Sequence, residues 1–262
     1  MSIVAKAKAD ARVTGLLKEV ESHFKISYHR SDDKCWGSNV TAGGVAEIHY
    51  QKTKHPGASL AHELLHLLVQ HRGYRRVRGG ISATLGHAVI ENLIECFDNE
   101  LQHHKMYPEF SRMGFLPDEF YADDDVGTAE HLQMALSSNP TSVLELVRDY
   151  FTLIAPGGCL KDTQRQGFQS EFLTLGQGRF AAQFQAIRSA MDGWATCGTY
   201  NAEPTLRQIF LTLENPSQVW LWYSTDGQPP QDGFFVDQAF GFDVAQGVVS
   251  WRFTPSAGWS RV

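Results

Sequence analysis

Cysteine is sparse and scattered in this chain. Cys35, Cys96, Cys159 and Cys197 stand far apart with no CxxC pair, which argues against a zinc ribbon or a dithiol redox site and fits reduced thiols in the cytoplasm. Long apolar runs are missing as well. The start, Met1-Ser2-Ile3-Val4-Ala5-Lys6, lacks the hydrophobic stretch of a signal peptide, and no later segment approaches the roughly 20 apolar residues of a membrane span. A basic excess is also absent: the net charge of -6 argues against a surface built for nucleic-acid phosphates. No internal repeat or low-complexity segment is present. What remains is a chain of 262 residues, 42% hydrophobic, long enough to bury a core as one large domain or as two subdomains across a cleft.

The most informative stretch is Ser59-Leu60-Ala61-His62-Glu63-Leu64-Leu65-His66-Leu67-Leu68-Val69. It reads as HExxH. Leu60, Leu64, Leu67 and Leu68 recur at helical spacing, and Pro56 and Gly73 bracket a helix of about Pro56 to His71. Residues four apart share a helix face, so His62 and His66 can bind one metal ion, while Glu63 is left to accept a proton from the metal's water and pass it to a leaving amine. The three-histidine pattern HExxHxxGxxH is excluded, because Val69 and Arg72 occupy its glycine and third histidine positions. The third ligand therefore lies elsewhere.

A second helix is expected from His87 to His104, capped by Ser82 or Thr84 and ending before Pro108, with Ile90, Ile94, Phe97 and Leu101 as its apolar stripe. Glu91, Glu95 and Asp98 lie beside that stripe, and three like charges at this spacing cost stability unless a cation sits among them. Between the two helices run Arg72, Arg75, Arg76 and Arg78 and the pair Gly79-Gly80. They read as a solvated loop or, through Arg75, Arg76 and Arg78, as a rim that binds an acidic segment of substrate.

Elsewhere the pattern gives a helix before Phe24, a strand at Lys25–Tyr28, a polar loop from Arg30 to Thr41, and a strand at Val45–Tyr50 whose edge is able to hold an extended peptide. Asp118, Glu119, Asp123, Asp124 and Asp125 read as a solvated acidic loop. Ser142 to Glu145 is a capping box that opens a helix to Ile154, and Pro156-Gly157-Gly158 is a candidate boundary. Helices follow around Phe180–Met191 and Leu206–Leu213. Val219–Tyr223, Phe234–Val236 and Val248–Phe253 are aromatic strands, with turns at Asp226-Gly227, Pro229-Pro230 and Gly247. The expected fold is α+β: a catalytic region over residues 1–155, then a helical region with a small C-terminal antiparallel sheet over 156–262.

HExxH with Glu91 placed 25 positions after His66 (91 minus 66) resembles the gluzincin branch of the zincin metallopeptidases. The resemblance implies a zincin-like fold, one Zn²⁺ held by His62, His66 and Glu91, Glu63 as catalytic base, and Glu95 supporting His62 through its other ring nitrogen. A narrower similarity, over Ala58 to Leu101, is to ImmA/IrrE-type peptidases, where a Phe follows the ligand Glu by six positions as Phe97 follows Glu91. The substrate implied is a protein or peptide. Two other readings stay open: a non-haem iron oxygenase with a two-histidine, one-carboxylate triad, and an interaction protein with a structural zinc, for which Cys96 is a conceivable fourth ligand.

Overall fold

A computed structural model of the chain describes residues 1–32, 35–41, 44–82, 84–121, 128–213, 219–223 and 232–236, with the backbone of three further strands. Helices and strands alternate at first, as α1 (Ile3–Lys8), α2 (Thr14–Glu21), β1 (Lys25–Arg30), β2 (Gly37–Thr41), β3 (Val45–Tyr50), α3 (Pro56–His71) and β4 (Gly79–Ser82). Helices then dominate, as α4 (His87–Arg112), α5 (Thr128–Ser137), α6 (Val147–Ile154), α7 (Asp162–Gly178), α8 (Ala181–Thr196) and α9 (Glu203–Thr212). Strands close the chain, as β5 (Val219–Trp222), β6 (Gly233–Phe235), β7 (Phe242–Gln246), β8 (Val249–Thr254) and β9 (Gly258–Arg261). The fold is α+β with a mainly helical second half, and β7-β8-β9 form a small antiparallel sheet at the C-terminal end. No helix among the described residues is long and apolar enough to cross a membrane.

Two compact units make up the chain, and each is assembled from three stretches. The first comprises Met1–Tyr74, Gln102–Ser137 and Leu153–Ser170, the second Arg75–Leu101, Ser138–Thr152 and Glu171–Val262. Pro156-Gly157-Gly158 therefore lies inside the first unit, not between domains. There Gly157 adopts φ +78, and a Cβ on it would sit 2.8 Å from the Tyr107 ring. Asp123, Asp124 and Asp125 and the turns at Gly43, Asp226-Gly227, Pro229-Pro230 and Gly247 lie outside the described residues.

In the first unit, α3 has the bounds that Pro56 and Gly73 dictate, with Pro56 in its first turn and Gly73 at φ +107 just past its end. It is buried on nearly every side. Leu60, Leu64, Leu65, Leu67 and Leu68 are each at most 1% exposed, and burial of each contributes about 1.5–3 kcal/mol. Its N-terminal end packs on the α1–α2 connection, where a Cβ at Gly57 would run into the Asp10 carboxylate. The adjoining sheet has the order β1-β3-β2, with β1 parallel and β2 antiparallel to β3. β3 is therefore the central strand, paired on both sides, and has no edge to offer a peptide. The edge beside α3 is β2, which lies in the stretch expected to be a loop: Ser38, Asn39 and Thr41 are polar, but an edge strand tolerates polar residues. Ser38 Oγ donates to the Glu63 carbonyl at 3.4 Å.

Pro108 does not end α4, which continues to Arg112. A proline within a helix costs about 3 kcal/mol. Aromatic packing of the turn beyond it offsets that cost: Phe110 is fully buried, stacks on Phe115 at 4.8 Å between ring centroids and meets Phe120 edge-on at 4.9 Å.

In the second unit, Gly79-Gly80 is not a flexible pair but part of β4, which pairs antiparallel with β5, as β5 does with β6. A Cβ on Gly79 would lie 2.6 Å from the Trp222 ring, and one on Gly80 would lie 2.7 Å from Leu221 and 2.8 Å from Ile94. Glycine is there for close approach. The aromatic strands Val219–Trp222 and Gly233–Phe235 thus belong to a sheet with β4, separate from β7-β8-β9. The helix expected after Ser142 begins as a tight turn over Val143–Glu145, with α6 following from Val147.

Gly233 sets a measurable limit, because a Cβ there collides with the Leu221 carbonyl, which is backbone and cannot swing away. Gly233→Ala should destabilise the protein by about 1–3 kcal/mol, whereas Gly15→Ala on α2, where nothing lies within 4 Å, should stabilise by about 0.4–1 kcal/mol. Urea denaturation of the two variants beside the parent chain gives both signs.

Candidate metal centre

α3 presents one narrow opening in its buried surface. From Gly57 to Gln70, the residues that keep partial exposure are His62, His66 and Gln70, spaced by four, and all the others are buried. The opening is thus a single stripe one turn apart. His62 Nε2 lies 3.1 Å from His66 Nε2, close to the roughly 3.3–3.4 Å that separates two nitrogens on a tetrahedral zinc with Zn–N of 2.0–2.1 Å.

His103, from the part of α4 in the first unit, completes the group. One ligand nitrogen from each of His62, His66 and His103 lies within 4.8 Å of the others. The rings form a nearly equilateral triangle, with centroid separations of 4.9, 4.9 and 5.3 Å. Phe120 and Tyr121 wall it: Phe120 lies 4.7 Å from the His62 ring and 5.3 Å from that of His103, and Tyr121 lies 5.0 Å from His103.

Hydrogen bonds orient two of the rings. His66 Nδ1 is 3.1 Å from Gln102 Oε1, which only accepts, so Nδ1 carries the proton and Nε2 keeps its lone pair. His103 Nδ1 is 2.8 Å from the Tyr121 hydroxyl, which engages that nitrogen and leaves Nε2 as the one available to a metal ion. His62 Nδ1 is buried without a hydrogen bond of normal geometry, though the Phe120 backbone lies close enough to favour its protonated form. Burial foremost, then the imidazoles of His66 and His103, hold His62 well below the ordinary imidazole value. It is neutral at pH 7, the state in which imidazole binds metal. Three imidazoles with nitrogens converging at ligand spacing fit a divalent ion of borderline softness.

Glu63, next to His62, is 5% exposed, and as the adjacent helical residue its side chain leaves the axis about 100° away from that of His62. Glu91 is not in the histidine group. It is 61% exposed and pairs with His87 at 3.4 Å, and it precedes His103 by twelve positions of the same helix (103 minus 91). Glu95 is also exposed. The partners of the acidic row are in the second unit: the His87 ring beside Glu91, and Arg76, whose Nε donates to buried Asp98 at 3.0 Å while Val77 N–H donates to the same carboxylate at 3.1 Å. Arg75 pairs with Asp232 and lies 4.1 Å over the Tyr223 ring. Arg78 donates its backbone N–H to the Trp222 carbonyl at 2.8 Å, and its side chain is exposed. Two of the three arginines assigned to substrate are thus engaged within their own unit.

His103 falls within the helix expected from His87 to His104, but nothing next to it in the sequence marks it as a ligand. His103, Met106 and Phe110 follow at i, i+3 and i+7, and all three are buried, so the histidine continues an apolar stripe. Among the described residues no fourth His, Cys, Asp or Glu joins the group. Cys96 lies in the second unit, and its thiol is pushed up, and so kept neutral, by burial first and by neighbouring carboxylates after that. The chain matches no protein-family model, no curated protein and no solved structure.

His103→Ala should purify without metal while Glu91→Ala keeps it, when both are grown in zinc-supplemented medium and measured by elemental analysis. The reverse outcome would restore Glu91 as the third ligand.

Proposed function

We propose that this protein is a zinc-dependent metallopeptidase acting in the cytoplasm on a protein or peptide substrate, with His62, His66 and His103 as the ligands. The observation that carries the reading is the convergence of three imidazole nitrogens within 4.8 Å of one another, beside a buried glutamate that no ligand role requires. Zinc, when bound, polarises the scissile carbonyl and acidifies water. Glu63 would serve as the base that takes a proton from the attacking water and returns it to the departing amine. The edge strand β2, tied to α3 by Ser38, is the place where an extended substrate can pair its backbone.

Among the described residues the histidine group includes no carboxylate and no cysteine. A set of three imidazoles that leaves a coordination position open is a ligand set of catalytic zinc, which supports the peptidase reading.

Glu63→Gln should retain zinc and lose about 10²- to 10⁴-fold in turnover on an unfolded casein-type substrate. The parent should lose activity to 1,10-phenanthroline and regain it with added Zn²⁺. Full turnover in Glu63→Gln would end the peptidase reading.

A further inference from the structure

The contacts of Gln102 and Tyr121 fall on the Nδ1 atoms of His66 and His103, which leaves Nε2 of each ring as the nitrogen available to a metal ion. Tyr121 Oη is 2.8 Å from His103 Nδ1, and Gln102 Oε1 is 3.1 Å from His66 Nδ1. A phenol can donate or accept. If Tyr121 donated to Nδ1, His103 Nε2 would carry the proton and could not bind a cation, so the productive arrangement has His103 Nδ1–H donating to the tyrosine oxygen. We infer that Tyr121 is the positioning residue of the third ligand: its oxygen selects the Nδ1–H form of His103 and fixes the ring plane, and metal affinity depends on it. This rests on the three-histidine reading above.

The phenol is delivered on a short, clamped segment. Tyr121 follows the turn Pro117–Glu119, where the Glu119 carboxylate accepts from Leu116 N–H at 2.8 Å and lies 3.3 Å from His55 Nδ1 and 3.5 Å from Arg12 Nη1. Phe120 packs against the rings of His62 and His103. The group that orients His103 is therefore held by the protein before any ion arrives, as a preorganised site requires.

The test uses the full chain, with Zn²⁺ and Co²⁺ as probes. Tyr121→Phe removes one oxygen and keeps the ring. Zinc affinity, from competition with a chromophoric chelator, should fall 10- to 100-fold, and the visible bands of the Co²⁺ form should shift, with the thermal midpoint of the metal-free chain unchanged. Should that midpoint fall, Tyr121→Gln is read the same way, since its amide oxygen can accept from Nδ1: Co²⁺ bands at the parent positions support the inference, and bands like those of Tyr121→Phe overturn it. Parent affinity and parent bands in Tyr121→Phe, with metal lost in His103→Ala, would overturn the positioning role and leave the three-histidine site standing. Parent affinity in His103→Ala would overturn both.

Discussion

The burial of α3 on every side but one is the constraint from which the site follows. A helix with five leucines in the core can expose polar side chains only along a stripe at spacing four, and His62, His66 and Gln70 occupy it. An imidazole in that position loses water, and an unmatched buried polar group costs about 1–3 kcal/mol. Gln102 and Tyr121 supply the missing partners for His66 and His103. Gln70 turns back to donate to the His66 carbonyl at 3.2 Å, which closes the stripe at its C-terminal end.

How much of this could be read in advance depended on whether the determining residues were neighbours in sequence. The ends of α3, its apolar face and the pairing of His62 with His66 are local properties, and Pro56, Gly73 and the i, i+4 spacing state them outright. His103 is different, because it lies on a second helix 37 positions after His66 (103 minus 66), and only tertiary packing brings it to the α3 pair. Glu91, Glu95 and Asp98 resembled ligands because such a row needs a cation. Here Arg76 is the cation at Asp98, and the His87 ring lies beside Glu91. Gly79-Gly80 resembled a hinge because nothing in the local sequence shows that Trp222 and Leu221 will close over it.

Exchanging the expected carboxylate for a third imidazole changes the electrostatics of the proposed centre. Three neutral ligands leave the full divalent charge of an ion uncompensated, where a glutamate would cancel one unit. The aromatic wall of Phe120 and Tyr121 limits solvent access on one side and so preserves the strength of electrostatic interactions there.

The interleaving of the two units carries a consequence for biosynthesis. Arg75–Leu101 belongs to the second unit yet is translated before Gln102–Ser137 and Leu153–Ser170, which the first unit needs. At about 5–20 residues per second, the ribosome releases the His62–His66 pair seconds before His103 and finishes the second unit only at the C-terminal end. Domain-by-domain folding in the order of synthesis is therefore closed to this chain. Its first compact unit must wait for a segment made after part of the second, and the proposed third ligand emerges only with α4.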